Sequence, residues 1–280
     1  MPRAQTNGIE LEYDHFGSPS DPTVLLVSGL GAQMITFYEP FCTGLAERGY
    51  HVVRFDNRDV GLSTKIEDGT SYALEDMADD TAGLLDTLGV DAAHVVGVSM
   101  GGMIAQTFAI RHPQRVRTLT SIMSTTGAPG VGGATEAAMG RLLVKAGDSR
   151  DERVASSFET SRVIWGDTEQ FPFEEDLARW RAEHSVDRAY YPEGTARQML
   201  AIRATGDRTE QLRRLQVPTL VIHGTNDPLV QPSGGHATAE AIPGAELLLI
   251  EGMGHGLARK AWPQVIDAID RLAARAASIA

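Results

Sequence analysis

The strongest constraint on this chain of 280 residues is a rhythm of short apolar runs separated by stretches with helical spacing. Thr23 to Ser28 (TVLLVS), His51 to Asp56 (HVVRFD), Ala93 to Val98 (AHVVGV) and Val116 to Met123 read as strands, as do Val217 to His223 (VPTLVIH) and Glu246 to Ile250 (ELLLI). Runs such as TVLLVS are continuously apolar, as a strand buried on both faces must be. Helical patterns fall between them: 36–48, Leu74 to Leu88 with an apolar stripe stopped by Gly89, Met100 to His112, and Trp262 to Ala276. Parallel neighbours need crossover helices, so the expected fold is α/β, a mostly parallel central sheet with helices on both faces. Asn7-Gly8, a favoured two-residue turn, precedes the alternating segment Ile9 to Phe16 and predicts a hairpin.

The rhythm fails near Gly127. GAPGVGGA (127–134) reads as a hinge of small residues, and the next seventy or so positions carry helical patterns without a convincing strand. The predicted organisation is a core over 1–126, a helical cap or lid over 127–205 inserted before the acid-bearing strand, and a returning core over 206–280. The aromatics scattered through the insertion, among them Phe158, Trp165 and Phe173, are expected to pack its own helices rather than line a pocket.

Composition removes other classes. A net charge of −12 disfavours nucleic acid as a partner, and the densest basic run, Arg203 to Arg214, is broken by Asp207 and Glu210 and reads as a solvated helix face. The single cysteine, Cys42, excludes an intrachain disulfide and sits in an apolar run as a buried structural thiol. No secretory signal and no membrane span are evident, so a cytoplasmic location is the expectation. No spacing of Cys, His and acidic residues suggests a metal, and Gly29 and Gly31 do not extend to a dinucleotide fingerprint, so no cofactor is expected.

Gly97-Val98-Ser99-Met100-Gly101 matches G-x-S-x-G where a buried strand meets a helix, the strand–turn–helix context that motif requires. A serine there could simply cap the helix, but a cap leaves the two flanking glycines unexplained. A serine nucleophile needs a base. Of the eight histidines, His255 stands in a glycine-flanked loop (EGMGHG) just after the last strand, where open parallel sheets place their chemistry. Asp227, in the turn after VPTLVIH, would hold the imidazole tautomer, although Asn-Asp-Pro is also a common turn for conformational reasons alone. The glycine-rich turn Ser28-Gly29-Leu30-Gly31 suggests an oxyanion hole from the backbone N–H groups of Leu30 and Met100, or else an ordinary strand–helix loop.

In AHVVGVSMGG, VPTLVIHGTNDPLV and GMGHG the chain resembles the α/β-hydrolase superfamily over nearly its full length. The segment RFDNRDVGLS (54–63) is similar to a structural motif of that family, which implies that Asp56 and Arg58 form a supporting ion pair and turn. Ser28 replaces a frequent histidine and Asp59 a usual glycine. In both respects the chain resembles serine carboxylesterases of the aclacinomycin methylesterase type. The resemblance implies hydrolysis of small to medium apolar esters through Ser99, Asp227 and His255. The alternatives are a thioesterase, lactonase, carbon–carbon hydrolase or lyase with the same triad, or a ligand-binding protein on the same fold.

Overall fold

The computed structural model describes residues 1–67 and 69–279. Its centre is one eight-stranded sheet in the order β1-β2-β4-β3-β5-β6-β7-β8. The strands are β1 (Arg3–Thr6), β2 (Ile9–Phe16), β3 (Thr23–Val27), β4 (His51–Phe55), β5 (Ala93–Val98), β6 (Val116–Ile122), β7 (Thr219–Gly224) and β8 (Glu246–Ile250). Asn7 and Gly8 both take positive φ, which lets the two-residue turn follow the strand twist, and β1 and β2 pair antiparallel with Thr6 opposite Ile9. β2 joins β4 antiparallel, and every pairing from β4 to β8 is parallel.

The alternation of side chains along each central strand divides the interior in two. From β3, Leu25 and Val27 enter one core while Val24 and Leu26 enter the other; β4 and β5 divide in the same way at Val53 against Val52 and Val95 against Val96. The first core is covered by α2 (Leu74–Thr87), α3 (Met100–Arg111) and the later α8 (Thr209–Leu212) and α9 (Ser233–Ala241). The second is covered by α1 (Glu39–Ala46) and the terminal α10 (Trp262–Ile279), whose Val265, Ile269 and Leu272 form one stripe. The expected stripe of α2 is buried at Leu74, Met77, Thr81, Leu84 and Leu85, and Gly89 follows the helix at φ 66°. Cys42 is fully buried, and desolvation pushes its thiol up to about 12. β8 differs from the inner strands: as an edge strand it leaves Leu247 and Leu249 exposed.

Between β6 and β7 the chain forms α4 (Glu136–Leu142), α5 (Arg150–Trp165), α6 (Glu175–Arg188) and α7 (Pro192–Thr205) before the short α8. Val154 and Phe158 of α5 pack with Ala178 and Ala182 of α6 in a small separate cluster. Trp165 does not pack there. It joins the second core with Phe171, so the expectation that the aromatics of this region pack its own helices fails at both residues.

The run from Arg203 to Arg214 is exposed at Arg203, Arg213 and Arg214, as a solvated face requires, and departs from expectation at Arg208. Gly206, at φ 63°, ends α7, and the chain turns inward so that Arg208 is buried rather than solvated. Its guanidinium donates to Gln106 Oε1, the Gly206 carbonyl and the Thr125 carbonyl, and burial pushes its pKa down to about 10. Among the described residues no helix is long and apolar enough to cross a membrane.

Candidate active site

Strand order reverses at β3: the chain runs outward to β4 on one side, then returns to β5 on the other. The crevice at such a switch point, at the carboxyl ends of the strands, is where open α/β sheets hold ligands. The Gly29–Gly31 turn leaves β3 there, and Ser99 leaves β5. The two are in contact: a Cβ on Gly29 would lie 3.2 Å from Ser99 Cβ and 3.6 Å from its Oγ.

Ser99 has φ 59° and ψ −123°, a conformation that disfavours any side chain. Close packing forces it. A Cβ at Gly97 would sit 2.1 Å from the Gly101 carbonyl oxygen, and one at Gly101 would sit 2.0 Å from the Val27 carbonyl oxygen. Both flanking glycines are therefore steric necessities, as the sharp strand-to-helix turn demands. A helix-capping role does not account for Ser99, since its side chain makes no cap hydrogen bond to α3. The hydroxyl instead stands beside the first turn of α3, whose leading amides, including that of Met100, have no intrahelical acceptor.

Asp227 divides its two oxygens. Oδ1 accepts the amides of Leu229 (2.8 Å) and Val230 (2.9 Å), an Asx turn that shapes the loop. Oδ2 accepts His255 Nδ1 at 2.7 Å. Since an ionised carboxylate can only accept, His255 carries its proton on Nδ1, leaving Nε2 as the basic nitrogen. The turn and the pairing with His255 thus coexist on one side chain. Among the described residues no hydrogen bond joins the Ser99 hydroxyl to the His255 ring.

The histidine loop is gripped by the end of α5. The His255 amide donates to the Ile164 carbonyl at 3.2 Å, and Asn226 Nδ2 donates to the Gly166 carbonyl at 2.9 Å. Cβ atoms on Gly254 and Gly256 would collide with the Trp165 backbone and ring respectively. The glycines flanking His255 therefore admit Trp165, a contact that no local pattern in the sequence announces.

His223, the other histidine at a strand's carboxyl end, also faces Asp227, its Nε2 3.6 Å from Oδ2 and beyond hydrogen-bond reach. It is fully buried, donates Nε2–H to the Val230 carbonyl at 2.7 Å, and lies so close under α9 that a Cβ on Gly235 would meet its Nδ1 at 2.5 Å. Desolvation lowers its pKa and so favours the neutral ring. The six remaining histidines are placed elsewhere: His94 Nδ1 bonds Thr118 Oγ1, His51 Nδ1 bonds Thr23 Oγ1 and meets the His15 ring edge to face, His112 pairs with Asp79, His184 stacks on Trp180, and His236 is exposed on α9.

The segment after β4 corrects one expectation. Asp56 and Arg58 do not pair with each other. Arg58 turns toward α2 and binds Asp80 through Nε (2.6 Å) and Nη2 (2.7 Å). Asp56 accepts the amides of Met34 and Leu62, both at 2.8 Å, and Nη1 of Arg188 in α6 at 2.5 Å. Asp59, at φ 70° where the resembling motif has glycine, accepts the forked guanidinium of Arg197 in α7 (2.8 and 3.0 Å), the Tyr72 hydroxyl and the Ile66 amide. Burial opposes the Asp59 carboxylate, but the Arg197 fork, the Ile66 amide and Tyr72 outweigh it and hold its pKa below the usual value. Two buried carboxylates on the core thus anchor two arginines of the helical insertion.

A surface cavity of about 390 Å³ lies beside Asp227, lined by Thr135, Gly166, Asp167, Asn226 and Gln231 among others. Neither Ser99 nor His255 lines it. Among the described residues no group of three or more His, Cys, Asp or Glu side chains is placed to hold a metal ion.

Comparison with known proteins places these features in a family. Rhodomycin D methylesterase DauP of Streptomyces sp. (strain C5) is 30% identical over 270 residues, covering 89% of this chain and 90% of that protein. A putative carbamate hydrolase, RutD, of Azorhizobium caulinodans is 29% identical over 257 residues, covering 91% of each. Among solved structures, the meta-cleavage product hydrolase CumD of Pseudomonas fluorescens superposes with a TM-score of 0.83 at 21% identity, covering 99% of this chain and 98% of the other. The enol-lactonase of Burkholderia xenovorans gives 0.75 at 25% identity, covering 99% of this chain and all of the other. The family profile described as alpha/beta hydrolase fold matches residues 22–258, and with the switch-point crevice, the strained serine and the sheet order in place, this chain belongs to the alpha/beta hydrolase fold family.

Proposed function

We propose that the protein hydrolyses carboxylic esters through an acyl-enzyme on Ser99. The observation that carries this reading is the backbone of Ser99, held at φ 59° between two glycines that cannot bear a Cβ, with the hydroxyl against the Gly29–Gly31 turn. Strain of this kind persists where it serves a purpose. The likeness to a rhodomycin D methylesterase supports an ester as the bond cleaved.

His255 Nε2 takes the Ser99 proton as Oγ attacks the ester carbonyl, and Asp227 Oδ2 stabilises the imidazolium through the Nδ1–H bond. The tetrahedral oxyanion is received by the backbone N–H groups of Leu30 and Met100, each worth ~2.7–4 kcal/mol of transition-state stabilisation. The imidazolium then protonates the departing alkoxide. Water, deprotonated by the same nitrogen, releases the acid and regenerates Ser99. The helices over 127–205 act as a lid: Thr195 of α7 touches Gly31, so the insertion reaches the turn that lies on Ser99. The likeness to an enol-lactonase favours a cyclic ester as the second substrate class.

Hydrolysis of p-nitrophenyl esters of increasing acyl length, with simple lactones alongside, tests the reading. Turnover by the wild type that vanishes in Ser99→Ala is expected. Undiminished turnover in Ser99→Ala would overturn it.

A further inference from the structure

The side chain of Gln198, in α7, is fully buried although it belongs to the helical insertion. Its Oε1 accepts the Gly31 amide at 2.8 Å, and its Nε2 donates to the Arg58 carbonyl at 2.9 Å. Because one partner is a donor and the other an acceptor, the amide has a single orientation that satisfies both. The surrounding face of α7 leaves no slack. A Cβ on Gly31 would meet Thr195 Oγ1 at 2.8 Å, and one on Gly194 would meet the Asp59 carbonyl oxygen at 2.1 Å.

The bond falls on a sensitive peptide. Ala32 N–H donates to the Gly29 carbonyl at 3.1 Å, closing a four-residue turn. Gly31, its third residue, has φ 62°, whereas Leu30 is not in the positive-φ region, the pattern of a type II turn. In that turn the central peptide, which carries the Leu30 carbonyl and the Gly31 N–H, faces opposite to its direction in a type I turn. Rotating it would exchange an oxygen for an N–H next to the Leu30 amide. Nothing within the turn itself bonds the Gly31 N–H; Gln198 does.

We infer that Gln198 is a positioning residue for the oxyanion-binding turn. By fixing the central peptide of 29–32 it holds the Leu30 amide toward Ser99, and so makes a residue of the insertion part of the machinery that stabilises the transition state. This rests on the acyl-transfer reading above. Preorganisation of such donors acts on the transition state far more than on the bound ester. Loss of the Gly31 acceptor should therefore lower kcat and leave KM nearly unchanged.

The test compares Gln198→Leu and Gln198→Met, which lack the acceptor, with Gln198→Glu, which retains it and, in the neutral form that full burial favours, also keeps a donor for the Arg58 carbonyl. Activity is read on the preferred p-nitrophenyl ester, and binding of a phenylboronic acid, which forms a tetrahedral adduct with an active serine, is read in parallel. Losing an oxyanion donor outright costs about 10²–10³ in kcat, so a donor left in place but unsteadied should cost on the order of tenfold. Gln198→Leu and Gln198→Met should show that fall with KM within about threefold, together with an equal loss of boronate affinity, and Gln198→Glu should stay near wild type. In the wild type, the Gly31 amide should exchange slowly with deuterium, a readout independent of how any variant folds. Wild-type kcat in a folded Gln198→Leu or Gln198→Met, unchanged boronate affinity, or fast exchange at Gly31 would each overturn the inference. A wild type without ester turnover, or an active Ser99→Ala, would instead defeat the reading on which it rests.

Discussion

Ser99 carries a side chain in a backbone region that suits glycine. Ser99→Gly should therefore relieve strain of about 1 kcal/mol and raise the urea midpoint, while ester hydrolysis is lost. A lower midpoint than wild type would mean that the turn is not strained. Asp227→Asn should leave the fold intact, since Oδ1 can still accept the Leu229 and Val230 amides. It should nonetheless lower kcat by roughly 10⁴-fold, because an amide NH₂ facing His255 favours the wrong tautomer; near-normal kcat would move the acid role elsewhere. At this scale, the strained turn at Ser99 and the loops that bring Asp227 and His255 together were legible because each stands in a local pattern of glycines and strand ends. Arg197 and Gln198 were not, because their partners lie 138 and 167 residues away and nothing in α7 distinguishes an inward polar side chain from a solvated one.

The central strands were readable because burial on both faces demands continuous apolar runs, and the helices of the insertion because their spacing is 3.6 residues. How the insertion is attached was not readable. Arg188 and Arg197 end on Asp56 and Asp59, and the motif that carries both carboxylates gave only the expectation of a local ion pair. Removing one partner of a buried pair strands the other. Arg197→Met should accordingly destabilise the protein by about 3 kcal/mol in urea unfolding, with partial recovery when Asp59→Asn is added. An unaltered midpoint would show that the pair contributes no attachment. The grip on the histidine loop gives a second expectation at this scale. Gly256→Ala would place a Cβ 2.2 Å from the Trp165 ring. It should cost about 1–3 kcal/mol and shift Trp165 emission, and a stable variant with unchanged emission would contradict that contact.

Across the whole molecule, buried histidines make stability depend on pH. Desolvation holds His94 at about 4, and His51 and His223 are also lowered, with desolvation the largest cause in each case. A histidine whose folded pKa lies below its unfolded value near ~6.5 is protonated first in the unfolded chain. Stability is therefore full above about pH 6.5 and falls as the pH drops toward 4, with His94 alone contributing on the order of 3 kcal/mol by the lower limit. Asp59, whose pKa is depressed, adds a further loss only below its unfolded value of about 3.9. The urea midpoint should fall between pH 7 and 4.5, and His94→Gln should flatten that slope; equal slopes would rule His94 out as a source.

Everything proposed about chemistry depends on Ser99 being the nucleophile, and covalent labelling addresses that most directly. The protein would be treated with an alkyl fluorophosphonate, which phosphonylates an activated serine with loss of fluoride, and the intact mass and modified peptide determined. A single adduct per chain is expected, located on Ser99 and absent from Ser99→Ala, with ester hydrolysis falling in proportion to labelling. An adduct on another residue, or ester hydrolysis that persists in fully labelled protein, would contradict it.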